Sequence, residues 1–504
     1  MKAPERRVRI VDTSTRDGNQ SLWGATGLTT GMVEALGPAL ERAGFHALDF
    51  TSSTHLSVGV RWHKENPWER IRRMRAVVPE TPLSLITTGM RFMSWDRSPE
   101  ALMRLALRCL AESGLRRIQI AEPMNDTGAA LAVARVAKEE GVEQVVAAVT
   151  FTESPVHTDD IYRKAASVLA GDGAVDAVYL KDPGGLLTVE RTATLIPELK
   201  DAAGAKTLEL HSHCTTGVAP QVYVLAAQLG VEVLHTAIGA LANGTSQPSL
   251  TRLVSNLGTV GIATDVDLDA VAQAEEIIAT IARTQGLEPG RPTEYDLSYH
   301  AHQVPGGMMG TLRRQLAEVR MSEALPEVLE EVSRVRAELG YPIMVTPYSQ
   351  FVGTQAVLNV VATRGGGERW SRLPDEIIRY VLGHFGTPVA PIADEIRERV
   401  ESSPRTRELN QPRPEPSIDQ LREQVRATLG RDVNDGDVVL RSVLPGDQLD
   451  AMDAAGPASA WRPAKPVASL MDFLDAVTAL PRWRSLHLTR GDESVTLSRR
   501  TESQ

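Results

Sequence analysis

The sequence predicts an α/β fold: a (β/α)8 (TIM) barrel, then a mostly helical domain, then a small C-terminal α+β segment. Short apolar runs rich in strand-forming residues alternate with segments of helical periodicity over about 260 residues. The runs are, in order, RVRIVDT, FHALDFT, PLSLITT, RIQIAEP, QVVAAVTFT, DAVYLKD, KTLELHSH and EVLHTAIG. A doubly wound open sheet is the alternative, because it shows the same alternation.

The positions of the polar residues favour the barrel. Candidate reactive side chains fall at the C-terminal ends of several runs, where the active sites of such barrels are built. They are Arg16, Asp17 and Gln20; Glu122, Asn125 and Asp126; Lys181 and Asp182; and His211 and His213. Alternation along a strand places the two histidines on one face. A carboxylate with two imidazoles suits a divalent transition metal such as Zn, Mn or Co.

These residues also have ordinary structural explanations, which the sequence leaves open. A single His-x-His pair is weak support for a metal. Asp17 could cap a turn before Gly18. Lys181 and Asp182 could form a surface ion pair. Cys214 is expected to be a small buried hydrophobe rather than a nucleophile. The metal hypothesis gains its strength from the coincidence of several candidates at one face.

Domain boundaries follow from changes in composition. Three domains are expected, at residues 1–290, 291–450 and 451–504. Linkers are predicted at residues 402–417, which are rich in proline and serine, and at residues 454–468, which are rich in alanine and proline. The last segment is expected to combine a helix, SLMDFLDAVTAL, with two strands, SLHLTR and SVTLSRR.

One barrel helix carries explicit end signals. In SPEALMRLALRCLAESG, Ser98 is expected to cap the helix and Pro99 to lie in its first turn. Gly114 is expected to end it.

The composition is that of an ordinary globular enzyme. Of 504 residues, 42% are hydrophobic and 23% are charged. The net charge of −10 argues against nucleic acid or an anionic membrane as the main partner. Two cysteines, Cys109 and Cys214, cannot build a disulfide scaffold. Since the sequence shows no signal peptide and no apolar run long enough to span a membrane, we expect a cytoplasmic location.

Several longer motifs carry a resemblance to a known family. They are TRDGNQSLWGATG, ENPWERIRRMR, FTESPVHT, LKDPGGLLT, HSHCTTGV, QVPGGMMGTLRRQL and VTPYSQFVGTQAVLNV, spread over residues 8–390. The sequence resembles the carboxyltransferase family shared by pyruvate carboxylase, the alpha subunit of oxaloacetate decarboxylase and the central subunit of methylmalonyl-CoA:pyruvate transcarboxylase. The RDGNQ motif is also similar to the wider superfamily of metal-dependent lyases that includes hydroxymethylglutaryl-CoA lyase.

The resemblance implies a ligand set and a mechanism. A divalent metal would be held by Asp17, His211, His213 and a carboxylated Lys181. It would polarise the carbonyl of a 2-oxo acid, so that loss of a methyl proton gives a stabilised enolate.

The resemblance also implies roles beside the metal. Thr346 would carry the proton between the methyl group and the biotin ring, and its structural alternative is a helix N-cap, with Pro347 as the first helical residue. Arg16 matches an arginine that can stabilise the enolate oxygen, and Gln20 matches a glutamine near the substrate.

The sequence departs from the family pattern at three places. Thr88 stands where pyruvate-using members have an arginine that binds the substrate carboxylate, and Arg91 is the candidate substitute. Asn19 replaces a histidine, and His235 replaces an aspartate on the eighth strand. These departures predict an altered carboxyl acceptor.

The partners are expected to be separate chains. The sequence has no Ala-Met-Lys-Met biotinylation motif and no biotin carboxylase domain ahead of the barrel. We therefore expect one subunit of a split complex, working with a separate biotin carrier protein and a biotin carboxylase or second carboxyltransferase subunit. The C-terminal tail would be a docking segment, and a homo-oligomer is expected from the family likeness.

Three functions compete at this stage. The first is a carboxyltransferase subunit that moves a carboxyl group between carboxybiotin and a pyruvate- or oxaloacetate-like 2-oxo acid. The second is a biotin-independent, metal-dependent lyase or aldolase. The third is a non-catalytic scaffold, against which the intact set of candidate ligands argues.

Overall fold

The computed structural model describes residues 6–93, 97–411, 414–461, 485–490 and 493–498. The chain divides into two compact units, Met1–Ala460 and Trp461–Gln504. The domain boundaries expected after residues 290 and 450 remain predictions.

Eight parallel strands close into a barrel, in the order β2 to β9, with β2 hydrogen-bonded to β9. The strands are β1 Arg6–Arg7, β2 Arg9–Asp12, β3 Ala47–Ser52, β4 Leu83–Thr87, β5 Arg117–Ile120, β6 Gln144–Thr150, β7 Ala177–Asp182, β8 Thr207–Ser212, β9 Val233–Thr236, β10 Ile262–Ala263, β11 Ser485–Arg490 and β12 Glu493–Ser498. Each predicted run coincides with one barrel strand to within a few residues, so the (β/α)8 prediction is confirmed. Closure of the sheet excludes the doubly wound alternative.

Helices cover the outside of the barrel and then continue into a helical region. Those within the barrel part are α1 Asn19–Trp23, α2 Thr30–Arg42, α3 Ser53–Val58, α4 Pro67–Val77, α5 Glu100–Glu112, α6 Thr127–Glu139, α7 Asp159–Gly171, α8 Val189–Ala203, α9 Ala219–Leu229, α10 Leu250–Thr259 and α11 Leu268–Gln285. The barrel strands are buried along almost their whole length, because helices pack outside them and side chains fill the interior.

The end signals of α5 act differently from the prediction. Pro99 occupies the N-cap position and the helix has no side-chain cap. Ser98 Oγ instead accepts a hydrogen bond from the backbone N–H of Phe92 at 3.0 Å, so it stabilises the preceding loop. Gly114 follows the helix with a φ of 107°, a conformation that suits glycine.

The helical region has an apolar core of its own. Its helices are α12 Ser298–His302, α13 Gly306–Glu318, α14 Leu325–Glu338, α15 Tyr348–Arg364, α16 Asp375–Val381, α17 Asp394–Ser402, α18 Pro404–Leu409, α19 Ile418–Leu429, α20 Asp435–Val443 and α21 Gly446–Ala455. Tyr348, Phe351, Tyr380 and Phe385 pack together with ring centroids 5.3–6.1 Å apart. Aromatic contacts at this spacing add to the gain from burial alone.

The helical region lies against the C-terminal end of the barrel. Met124, just after β5, belongs to its apolar core. Arg336 on α14 donates to Thr152 Oγ1 at 2.8 Å and to the carbonyl of Glu153 at 2.9 Å, both just after β6. The helices therefore cover the face at which barrel active sites are built.

The linker predictions were partly wrong. Residues 402–417 contain the helix α18, which starts with a proline at its first turn. In the C-terminal unit, the two predicted strands are present as β11 and β12, which pair as an antiparallel hairpin. The predicted helix at residues 469–480 lies outside the described residues. Within the described part of the chain, no helix is long and apolar enough to cross a membrane.

Candidate active site

Three of the predicted metal ligands converge at the C-terminal end of the barrel. Asp17 lies in a π-helical turn after β2, His211 is in β8, and His213 follows that strand. Asp17 Oδ2 is 2.9 Å from His211 Nε2 and 3.2 Å from His213 Nε2, and the two nitrogens are 3.2 Å apart. All three side chains are buried. This spacing of one carboxylate and two imidazoles fits a divalent transition metal.

Lys181 lies beside this cluster. It is in β7, directly opposite His211 in the parallel pairing of β7 with β8. Its side chain is 8% exposed. Burial lowers the pKa of its amine to about 8. Lys181 and Asp182 are both buried, which rules out a surface ion pair between them.

Gln247 is a site residue that the sequence did not reveal. It lies in the loop after β9, and its Nε2 donates to Asp17 Oδ2 at 3.0 Å. The same nitrogen is 3.3 Å from His211 Nε2 and 3.1 Å from His213 Nε2. Its Oε1 accepts from Thr13 Oγ1 at 2.7 Å. The amide thus points at the three ligand atoms from the side of the loop.

Arg16 connects the cluster to a buried carboxylate on β3. Its Nη1 is 3.0 Å from Asp17 Oδ1, and its Nε donates to Asp49 Oδ2 at 2.8 Å. Although burial acts to raise the pKa of Asp17, Arg16 and His213 hold that pKa well below its usual range. Asp17 therefore keeps the negative charge that a metal ligand needs.

The candidates after β5 have structural roles in this arrangement. Glu122 Oε2 accepts from the backbone N–H groups of Met124 and Asp126, both at 2.8 Å. Asn125 pairs with the backbone of Thr150. Asp126 caps α6. None of them is part of the carboxylate–imidazole cluster formed within the described residues.

Asp182 likewise shapes the backbone. Its carboxylate accepts from the N–H groups of Leu186 and Leu187, both at 2.9 Å, and from Ser212 Oγ at 2.7 Å. It fixes the turn after β7 and links it to β8. Cys214, after β8, is buried, and burial raises the pKa of its thiol to about 12, as suits an unreactive hydrophobe.

Thr88 and Arg91 lie together at the end of β4. Arg91 Nη1 donates to the carbonyl of Thr88 at 2.8 Å and is 3.7 Å from Glu122 Oε1. The guanidinium lies over the ring of Phe385 at 5.9 Å. Its Nε is buried and has no hydrogen-bond partner among the described residues. One donor of this arginine is therefore unpaired among the described residues.

Thr346 and Gln20 complete the predicted set. Thr346 is half-buried and precedes α15, whose N-cap position is taken by Pro347 without a side-chain cap. The N-cap alternative for Thr346 was wrong. Tyr348, two residues on, packs on Phe385 at 6.1 Å, so α15 begins near Arg91. Gln20 is half-buried in α1, three residues after Asp17.

Comparison with known proteins finds carboxylase relatives of this chain. The model of a conserved carboxylase domain matches residues 300–473. The chain is 34% identical over 394 residues to a pyruvate carboxylase subunit of Methanocaldococcus jannaschii, covering 78% of this chain and 68% of the relative. It is 30% identical over 453 residues to the 2-oxoglutarate carboxylase large subunit of Hydrogenobacter thermophilus, covering 88% and 68%.

The fold also matches a solved structure. The carboxyl transferase domain of Rhizobium etli pyruvate carboxylase with 3-bromopyruvate aligns with a TM-score of 0.81 at 22% identity, over 90% of this chain and 79% of that one. This likeness shows the barrel and the helical region following it. From fold and relatives together, the chain belongs to the biotin-dependent carboxyltransferase family, and it is an enzyme.

Proposed function

We propose that this chain moves a carboxyl group between carboxybiotin on a separate carrier protein and a 2-oxo acid. The observation that carries the proposal is the convergence of Asp17, His211 and His213, beside Lys181, at the barrel end covered by the helical region. The two relatives described above are carboxylase subunits, and they favour neither the biotin-independent lyase nor the scaffold.

A divalent cation is part of the proposal. Asp17, His211, His213 and a carboxylated Lys181 would hold Zn, Mn or Co, whose Lewis acidity polarises the carbonyl of the 2-oxo acid. Carboxylation forms a bond between the Lys181 nitrogen and CO2 with release of a proton, and it needs the neutral amine. The pKa of about 8 supplies a larger neutral fraction near pH 7 than an ordinary lysine has.

Thr346 is proposed to hold and pass the proton. Its hydroxyl would take the proton from the substrate carbon or return it, with the biotin ring nitrogen as the other partner. Thr346 precedes α15, whose first residue, Tyr348, packs on the Phe385 ring over which Arg91 lies, and this supports the role. Gln20 would contact the substrate, and Arg16 would place positive charge near its oxygen.

Arg91 is proposed to bind the substrate carboxylate in place of an arginine at position 88. The Nε–H that is left without a partner among the described residues supports this role. Burial raises the pKa of the neighbouring Glu122 to about 7, so near neutral pH Glu122 compensates only part of the positive charge of Arg91. The residual charge suits an anionic ligand.

A screen of acceptors tests the proposal. The carrier is loaded with ¹⁴C-carboxybiotin, and pyruvate, 2-oxoglutarate, other 2-oxo acids and acyl-CoA esters are offered in turn with each candidate metal. We expect a 2-oxo acid to receive the label, and Asp17→Asn to abolish the transfer. Transfer to no 2-oxo acid, or equal transfer by Asp17→Asn, would contradict it.

A further inference from the structure

A chain of buried polar side chains runs from the candidate metal cluster into the barrel interior. His211 Nδ1 lies 3.3 Å from His235 Nδ1 on β9. His235 Nε2 lies 2.8 Å from Glu209 Oε2 on β8. Arg117 on β5 donates its Nη2 to the same oxygen at 2.5 Å. All four side chains are completely buried, so water cannot replace any of these contacts.

The direction of the hydrogen bonds in this series of side chains follows from Arg117 and Glu209, which form the end farthest from the candidate metal cluster. Arg117 has only donors, and its charge keeps Glu209 ionised, so the carboxylate can only accept. His235 must then donate its Nε2–H to Glu209, which leaves a lone pair on its Nδ1 in the neutral ring. That lone pair accepts the Nδ1–H of His211. The Nε2 of His211 consequently carries a lone pair toward Asp17.

The reverse arrangement is unfavourable. If His211 gave an Nε2–H to Asp17, its Nδ1 would accept from His235, and His235 Nε2 would face Glu209 as a second acceptor at 2.8 Å. Two acceptors in contact are repulsive where nothing lies between them. In the favoured arrangement the paired acceptors are Asp17 Oδ2 and His211 Nε2, at 2.9 Å, where a cation between them would relieve the repulsion.

We infer that His235, oriented by Glu209 and Arg117, is a positioning residue that holds His211 in the tautomer whose Nε2 is free to bind a metal. The inference rests on the proposed metal site and explains how His235 serves it. The ring of His235 is itself fixed by stacking on Tyr179, with centroids 5.7 Å apart and planes 14° apart. Polar partners of this kind fix the orientation and basicity of metal-binding histidines.

Two substitutions at one position separate hydrogen bonding from packing. His235→Gln offers an acceptor and a donor about as far apart as the two ring nitrogens, so it can still connect His211 to Glu209. His235→Leu fills similar space without polar atoms. His157→Leu is the matched control, since His157 is also buried but contacts Ser154 and Tyr162 instead of the cluster.

The readouts are Zn²⁺ affinity, by chelator competition, and the ¹⁵N signals of histidine-labelled protein with and without Zn²⁺. We expect His235→Leu to weaken binding about 10- to 100-fold, and His235→Gln and His157→Leu to bind close to wild type. In wild type, His211 should be protonated on Nδ1 alone. Equal affinity of His235→Leu and wild type, or equal losses in both His235 variants, would overturn the inference.

The two proposals can fail separately. If wild type binds none of Zn²⁺, Mn²⁺ and Co²⁺, the metal proposal fails, and the ring signals of metal-free protein still decide the tautomer of His211. If Zn²⁺ binds but His211 is protonated on Nε2 in the metal-free protein, the inference about His235 is wrong. Thermal melting of each metal-free variant verifies that the barrel has folded.

Discussion

Gln247 Nε2 donates to Asp17 Oδ2 at 3.0 Å, and this is the same oxygen that faces both cluster histidines. The Gln247 amide therefore donates a hydrogen bond to the Asp17 oxygen that a bound cation would otherwise contact. A buried polar group that loses its partner costs about 1–3 kcal/mol.

We predict that Gln247→Met lowers the melting temperature of metal-stripped protein more than that of metal-loaded protein. Without the amide, Asp17 and the two histidines lose a common donor, and a bound cation would compensate for that loss. Calorimetry of both forms checks this. Equal losses of stability with and without metal would show that Gln247 acts only through packing of its loop.

Lys181 provides a test of carboxylation. In ¹³C-bicarbonate, wild-type protein should show a carbamate resonance that is absent from Lys181→Met, and the variant should retain less metal after dialysis because it lacks one ligand. Lys164→Met is the control, since Lys164 lies exposed on α7. A carbamate signal that persists in Lys181→Met would place the modification elsewhere.

Arg91→Met should weaken binding of the 2-oxo acid. Loss of a charge-assisted contact of about 1.5–3 kcal/mol raises KM roughly 10- to 100-fold, with a smaller effect on kcat. Arg61→Met, which changes an exposed arginine, is the control. Steady-state kinetics with the acceptor found by the screen measures both constants. An unchanged KM would remove Arg91 from the substrate site.

The raised pKa of Glu122 predicts that the free energy of unfolding depends on pH. Burial raises its pKa from the ordinary 4.5 to about 7, so the folded protein holds this proton more tightly than the unfolded chain. The resulting stabilisation is complete below pH 4.5 and is lost as the pH rises through 7. The free energy of unfolding of wild type relative to Glu122→Gln should fall by up to about 3 kcal/mol between pH 4.5 and 8. Denaturant unfolding across this range tests it, and a difference independent of pH would refute it.

The fold was predictable because periodicity is a local property. Each barrel strand is one apolar run, and each parallel connection requires a helix, so the alternation predicts a parallel α/β sheet. The polar residues at the ends of several runs then favour a barrel over an open sheet. The cluster of Asp17, His211 and His213 was predictable because barrel strands end at one face. The same rule predicted the position of Lys181 at this face, and the family resemblance implied its role as a ligand.

Other features depend on contacts that a local pattern does not encode. Gln247 lies in an irregular loop, and its role arises only when that loop folds over the strand ends. Glu122 lies just after a barrel strand, yet its carboxylate accepts hydrogen bonds from two backbone N–H groups of the next turn. Ser98 is placed for a helix cap, but it bonds to a loop six residues earlier. In each case, a specific contact in the folded protein determines the role of the side chain.

Carboxyl transfer by variants of Asp17 and Thr346 tests the central claim most directly. The rate of ¹⁴C transfer from carboxybiotin on the carrier to the 2-oxo acid is measured for wild type, Asp17→Asn, Thr346→Val and Thr346→Ser. Bound metal is determined in each sample. We predict that Asp17→Asn loses metal and transfer together. Thr346→Val should keep its metal but lose about 10²- to 10⁴-fold in rate, and Thr346→Ser should retain most activity because it keeps the hydroxyl. Transfer at the wild-type rate by metal-free Asp17→Asn or by Thr346→Val would contradict the account.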